Sequence, residues 1–337
     1  MKRGAAADPD ALERLVARAT GARAVELGER VQALWSGYGE IRRATLSATT
    51  TTDVIVKYVV PPNPAGYTAT EERSHRRKLR SYEVESAFYR TYAARCGAAC
   101  RVPAALHVGV EGDRRLLVLE DLDRAGFSLR RHRVSASELR ACLRWLAAFH
   151  ATFLGEPPAS LWKVGSYWHL ATRPDELRAL GDPALRHAAS RFDEQLNRAR
   201  HRTLVHGDAK LENFCFSSHG SAVAAVDFQY VGGGVGVKDV AYFLTSCLSS
   251  RELERDAESH LDDYFRELQS ALAERAATHG DVDCDAALLE AEWRELYPIA
   301  CADFYRFLLG WAGEGSTRDS YLERVTTAVL ERFRCGS

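Results

Sequence analysis

The rhythm of apolar positions changes three times along this chain. Residues 9 to 34 place Leu12, Leu15, Val16, Val25 and Leu27 at helical spacing, broken at Gly21, with Asp8 in position to cap. That stretch predicts a helix. LWSGYGEIRRATLSAT and TTDVIVKYVV are then β-rich and stop at Pro61-Pro62. Residues 61 to 80 carry a charge run from Glu71 to Arg80 and predict a solvated loop. SYEVESAFYRTYA returns to helical spacing, and RVPAALHVGV with RRLLVLEDLD predicts two strands around Glu111-Gly112-Asp113. Beyond Asp123 helical spacing dominates, over 138–154, 174–180, 184–200, 239–279 and 285–335. LVHGDAKLENFCF and AVAAVDFQYV interrupt it as short strands with polar turns. A strand-rich part, residues 1–121, therefore precedes a helix-rich part, residues 122–337, with a hinge at Glu120-Asp121-Leu122. The pattern predicts a two-lobed α+β architecture.

Composition narrows the function. With 46% apolar and 27% charged residues and a net charge of -1, the chain is globular and lacks the basic excess that draws a protein to nucleic acid or anionic membrane. No run approaches a membrane span, and the acids from Asp8 to Glu13 break any apolar signal core, so the expected compartment is the cytoplasm. Eight cysteines without a CxxC pair argue against a zinc site and suit reduced thiols. Only six of the 45 basic residues are lysine, which makes each lysine in an apolar setting informative.

Candidate chemistry concentrates in LVHGDAKLENF. His206, Asp208 and Asn213 have the spacing H-x-D-x-x-x-x-N, and Asp227 ends a second short strand 19 residues after Asp208. This is the order of a phosphoryl-transfer site: an acid to take a hydroxyl proton, then an amide and a second acid to hold metal. Paired strands would set Asn213 and Asp227 side by side on Mg²⁺, which keeps much of its water. Lys210, two residues past Asp208, is placed to meet the transferred phosphate; otherwise it is a solvated loop lysine. His206 reads as a brace for the loop.

Lys57 lies in DVIVKYVV, where alternation alone leaves it facing either in or out. A buried ammonium needs a partner. On the helix around Val84, set at 0°, Glu85 falls at about 100°, inside an arc running through Phe88, Tyr92 and Tyr89 to Tyr82 at about 160°. Glu83 falls at about 260°, on the far side. A Lys57–Glu85 ion pair that positions nucleotide phosphates is expected, with Glu83 in solvent. Ser36-Gly37-Tyr38-Gly39, just before the strands, is the candidate phosphate lid. Glu120 and Leu122 would offer the hinge backbone to an adenine.

LVHGDAKLENF and VAAVDFQYV resemble the motifs of the aminoglycoside phosphotransferase and choline kinase superfamily, nearest its CHK-type, ecdysteroid-kinase-like branch. The resemblance spans roughly residues 30 to 325 and is specific at 206–213 and 227–229. It implies a protein-kinase-like fold, ATP with Mg²⁺ as cofactors, and the hydroxyl of a small molecule as acceptor. It assigns Asp208 as base, Asn213 and Asp227 as metal ligands, and Lys57 with Glu85 as the nucleotide-positioning pair. Asp239 matches an aspartate that braces the catalytic loop, a role compatible with capping its own helix. Gly207 stands where protein kinases carry an arginine. Only eleven residues separate Asp227 from Asp239, too few for a peptide-binding activation segment, so no protein substrate is expected.

The acceptor site is open at this level. Trp162, Tyr167, Trp168, Trp293, Tyr297, Asp303 and Trp311 could form a cage for a quaternary ammonium, or simply be core, with Asp303 and Arg306 a surface pair. Asp281, Asp283 and Asp285 could serve a polycationic acceptor or be an ordinary loop. His150 reads as a core-edge residue. The alternative to a kinase is a catalytically inactive, nucleotide-binding or scaffolding protein, against which intact Lys57, Asp208, Asn213 and Asp227 argue.

Overall fold

The computed structural model describes residues 8–280, 284–312 and 319–335. The elements in chain order are α1 (Pro9–Thr20), β1 (Ala24–Ala33), β2 (Gly39–Ser47), β3 (Asp53–Val59), α2 (Ala69–Thr91), β4 (Ala105–Glu111) and β5 (Arg114–Glu120). There follow α3 (Ala136–Thr152), α4 (Pro174–Ala179), α5 (Pro183–Asn197), β6 (Thr203–Val205), β7 (Phe214–Phe216), β8 (Val223–Ala225) and β9 (Gly232–Gly234). Four helices close the chain: α6 (Val237–Cys247), α7 (Ser250–His279), α8 (Ala286–Ala312) and α9 (Ser320–Cys335). The arrangement is α+β, with a strand-rich N-terminal sheet and a helical C-terminal part.

The N-terminal sheet is antiparallel throughout, in the order β1-β2-β3-β5-β4. Period-two alternation sorts its faces. Val54 and Val56 of β3, with Leu116 and Val118 of β5, pack on Leu12 and Val16 of α1. The intervening residues, Lys57 among them, face α2.

Four expectations need correction. The helix predicted over 9–34 ends at Gly21, whose φ of 72° is the left-handed conformation that stops a helix. Val25 and Leu27, counted as its apolar face, belong instead to β1. The charge run from Glu71 to Arg80 is helix rather than loop. Thr68 and Glu71 form a capping box that starts α2 at Ala69, and the charged half-helix continues into the apolar half that carries Glu85. Another capping box, Ser249 with Glu252, divides the helix predicted over 239–279 into α6 and α7. The one predicted over 285–335 comprises α8 and α9, with residues 313–318 outside the described set.

In the C-terminal part α3 packs on α7, α5 and α6 on α8, and α8 on α9. Two small two-stranded antiparallel sheets rest on this layer. β7 pairs with β8, Phe214 opposite Ala225, and β6 pairs with β9, Leu204 opposite Gly233. The strand β9 is buried along its length. The two parts are riveted by aromatic rings: Phe88 of α2 stacks on Phe228 at 3.9 Å between centroids, and Trp145 and Phe149 of α3 surround Phe228.

Candidate active site

Lys57 and Glu85 are brought together across the cleft-facing side of the sheet. The Lys57 Nζ lies 2.8 Å from Oε1 and 2.7 Å from Oε2 of Glu85, with 5% and 2% of each residue exposed. Burial pushes the Glu85 carboxyl up, and the adjacent ammonium pulls it back. Glu83 turns away, half-exposed, to Arg80 and Arg115. Asp227 completes the group, its Oδ1 3.9 Å from the same Nζ.

Local backbone geometry places the acids. Asp227 adopts φ 67°, a conformation that non-glycine residues rarely take. The β7–β8 pairing brings Asn213 alongside, and the Val226 N–H donates to the Asn213 carbonyl at 3.0 Å. Asn213 Nδ2 donates to the Asp208 carbonyl at 2.7 Å and to its Oδ2 at 3.3 Å. Burial pushes the Asp208 carboxyl up to about 7 against the opposing pull of Lys210, and the Tyr242 hydroxyl lies beside it.

A buried network holds this loop. Asp239 accepts the N–H groups of His206 at 2.6 Å and Gly207 at 2.9 Å, and its Oδ2 also meets His150 Nε2 at 3.1 Å. Burial opposes its ionisation, yet these bonds hold the Asp239 carboxyl below the usual range. Asp239 does not cap α6, whose N-cap is Gly236; it binds the catalytic loop and His150 of α3. His206 is fully buried, its Nε2 bonded to the Val226 carbonyl at 3.0 Å, and burial lowers its pKa. Gly207 has φ 78°, and a Cβ there would lie 2.1 Å from the Tyr230 carbonyl oxygen, so no side chain fits.

The remaining predicted positions divide. Ser36 and Gly37 sit in the turn between β1 and β2, where Lys78 Nζ donates to Ser36 Oγ at 2.8 Å. Gly39 serves the sheet: a Cβ at its φ of 129° would lie 2.0 Å from the Tyr58 carbonyl. At the hinge, Glu120 is bound to Arg101 through both oxygens at 2.5 Å, and its N–H donates to Ala104. The Leu122 carbonyl accepts from Phe127, while its N–H has no partner among the described residues. Its side chain packs on Cys215 and Ala224 of the β7–β8 hairpin.

The ammonium cage does not form. Trp293 and Tyr297 are core, their polar atoms bonded to the His201 carbonyl and the Tyr321 hydroxyl. Trp168 donates to Asp303, which a buried Arg306 neutralises at 2.8 Å, so Asp303 and Arg306 are no surface pair. Tyr167 and Trp162 flank Tyr230, and Trp311 is 62% exposed. His150 lies fully inside the core, bonded to Asp239 and Tyr264, rather than at its edge. Asp285 caps α8, and Asp281 and Asp283 lie outside the described residues. Sequence reasoning missed Tyr242, three residues after Asp239 on α6, although that spacing turns both toward one helix face.

The donor set suits a hard divalent cation held by few protein oxygens. Asp227 Oδ1 is buried without a hydrogen bond, and the Asn213 amide oxygen has no partner among the described residues. No cluster of three His, Cys, Asp or Glu is arranged for metal among those residues. No described helix is long and apolar enough to cross a membrane.

A comparison with curated proteins finds no match. Among solved structures the chain is similar to an aminoglycoside phosphotransferase from Streptomyces rimosus in complex with ADP and streptomycin, at 19% identity over 86% of this chain and 99% of that one, with a TM-score of 0.44. It is similar to a choline/ethanolamine kinase family protein from Mesorhizobium loti, at 16% identity over 91% and 87%, with a TM-score of 0.41. An ethanolamine kinase from Plasmodium vivax follows at 10% identity over 90% and 81%, with a TM-score of 0.46. The family model described as the phosphotransferase enzyme family, APH, matches residues 49–277, from β3 through nearly all of α7. The chain belongs to the phosphotransferase enzyme family.

Proposed function

We propose that this phosphotransferase moves the γ-phosphoryl group of ATP to a hydroxyl of a small-molecule acceptor. The observation that carries this is the convergence of Glu85, Lys57 and Asp227 in one contact group with Asn213 and Asp208 in another, the two joined where Val226, next to Asp227, donates its N–H to the Asn213 carbonyl. Residues 1–121 would hold the nucleotide and 122–337 the catalytic loop and acceptor. Asp208 aligns the acceptor hydroxyl and takes its proton as the new O–P bond forms and the bond to the ADP oxygen breaks. Lys210 offsets charge on the transferred group, and Lys57, fixed by Glu85, orients the phosphates. Asn213 and Asp227 would hold Mg²⁺, which neutralises phosphate charge in the transition state. The turn at Ser36, Gly37 and Gly39 covers the phosphates, and the Leu122 N–H, beside Glu120, is available to the adenine.

The test incubates pure protein with ATP, Mg²⁺ and a library of hydroxylated small molecules, with phosphorylated product read by mass spectrometry. Asp208→Ala or Asp227→Ala should lose at least about 100-fold in turnover. Unchanged turnover in Asp208→Ala would sink the base assignment. Nucleotide binding without any product would leave the inactive reading standing.

A further inference from the structure

Helix α2 carries a second lysine on the face that bears Glu85. Lys78 precedes Glu85 by seven residues, so the two leave the helix within about 20° of one another and about 10 Å apart along its axis. Tyr82 lies between them on that face. Its ring meets the Lys57 ammonium at 5.7 Å and the Tyr38 ring at 6.1 Å, and the Lys78 ammonium lies 4.8 Å from the Tyr38 ring. The row Lys57, Tyr82, Tyr38, Lys78 runs from the buried ion pair to the turn between β1 and β2. Tyr38 anchors the foot of that turn: it is buried, and its hydroxyl is bonded to His75 Nδ1 at 2.5 Å. Ser36, at the tip, takes φ 58°, and its Oγ accepts from Lys78 Nζ at 2.8 Å.

Sheet register orders these groups. On β3, Val54 pairs with Glu120 of the hinge, and Val59 pairs with Gly39 beside the turn. The turn and Lys78 lie at the end of the sheet away from the hinge, with Lys57 between. A nucleotide whose base sits at the hinge would run its phosphates past Lys57 toward Lys78, and the terminal phosphate would reach farthest.

The two lysines differ in what neutralises them. Lys57 has Glu85 at 2.7 Å. Lys78 has no carboxylate within 4.0 Å of its Nζ among the described residues. Acids close by in the chain and on β2 are engaged elsewhere: Glu71 closes the capping box, Glu72 takes Arg76, and Glu40 takes Arg42. Burial pushes the Lys78 ammonium's pKa down, and the charges of Arg77 and Arg173 push the same way. Ser36 occupies one of its three N–H donors and leaves two. A half-buried ammonium with spare donors, repelled by its charged neighbours, is stabilised by an anionic oxygen.

We propose that Lys78 is a phosphate-binding residue that receives the terminal phosphate of a nucleoside triphosphate, so that the site distinguishes triphosphate from diphosphate. This rests on the phosphotransfer reading for the use of a nucleotide and for its base at the hinge.

The experiment is isothermal titration of the full chain, with Mg²⁺ present, by ADP and by a non-hydrolysable ATP analogue. The wild type should bind the triphosphate analogue at least about tenfold more tightly than ADP. Lys78→Met, which keeps the stem and removes the charge, should close most of that gap while ADP affinity stays within about twofold. Lys78→Arg should keep most of it. Lys78→Gln replaces the Met variant if circular dichroism shows that the latter does not fold. A wild type without the gap, or a gap unchanged in Lys78→Met, overturns the proposal. So does an equal loss of affinity for both nucleotides, since Lys78 would then only shape the turn. A wild type that binds neither nucleotide sinks the nucleotide reading itself, whereas binding of both with a gap indifferent to Lys78 sinks this inference alone.

Discussion

At the scale of single residues, the site sets ionisation against stability. Burial raises the Asp208 carboxyl to about 7, far above the value of about 4 of an unfolded chain. A raised folded-state pKa favours the protonated form, so the folded protein suffers no penalty from Asp208 below about pH 4 and loses stability as pH rises through 7. Asp208→Asn should therefore melt higher than the wild type above pH 7, with the difference shrinking toward pH 4. Thermal denaturation in the presence of a chelator reads this, and an unchanged or lower melting temperature at pH 8 would contradict the burial argument. The same variant should lose turnover. Gly207 illustrates the opposite constraint, where space rather than charge decides. Gly207→Ala must open a contact of 2.1 Å against the Tyr230 carbonyl and carry φ 78°, so it should destabilise the loop and lower turnover together.

At the scale of elements, legibility followed the range of the signal. Asp208 and Asn213 sit on one turn, so their spacing was readable directly, and the β7–β8 pairing follows from two short apolar runs. Glu85 could be chosen over Glu83 because helical periodicity separates the two faces. The start of α2 was misread because a charged surface half-helix has no apolar face to announce it, although Thr68 and Glu71 held the capping signal. Helix α1 stops at Gly21, and Val25, which falls at about 220° from Leu12 at 100° per residue, fits only the period of two that it shares with Leu27 in β1. Thr68→Ala should cost about 1 kcal/mol of stability, measured by denaturant unfolding, and leave turnover nearly unchanged, since Glu85 lies nearly five turns away. A large fall in turnover would mean that the charged half of α2 governs the position of Glu85.

At the scale of the whole molecule, the lobes meet through rings that no local pattern could pair. Phe228 follows Asp227 directly, and Phe88 lies one turn beyond Glu85, so the stack between them ties Asp227 to the partner of Lys57. Phe228→Ala should cost about 3–5 kcal/mol and reduce turnover beyond what instability explains, because Asp227 and Glu85 lose their common reference. Comparing kcat well below the melting temperature with the unfolding free energy separates the two effects.

The buried strand β9 bears on how such a protein is controlled. Between Asp227 and Asp239 the chain offers one hydroxyl, on Tyr230, which is buried, and the glycine strand beside it is locked against β6. A modifying enzyme would find no exposed hydroxyl there to grip. Esterification of a hydroxyl within this segment would first require β9 to come away from β6.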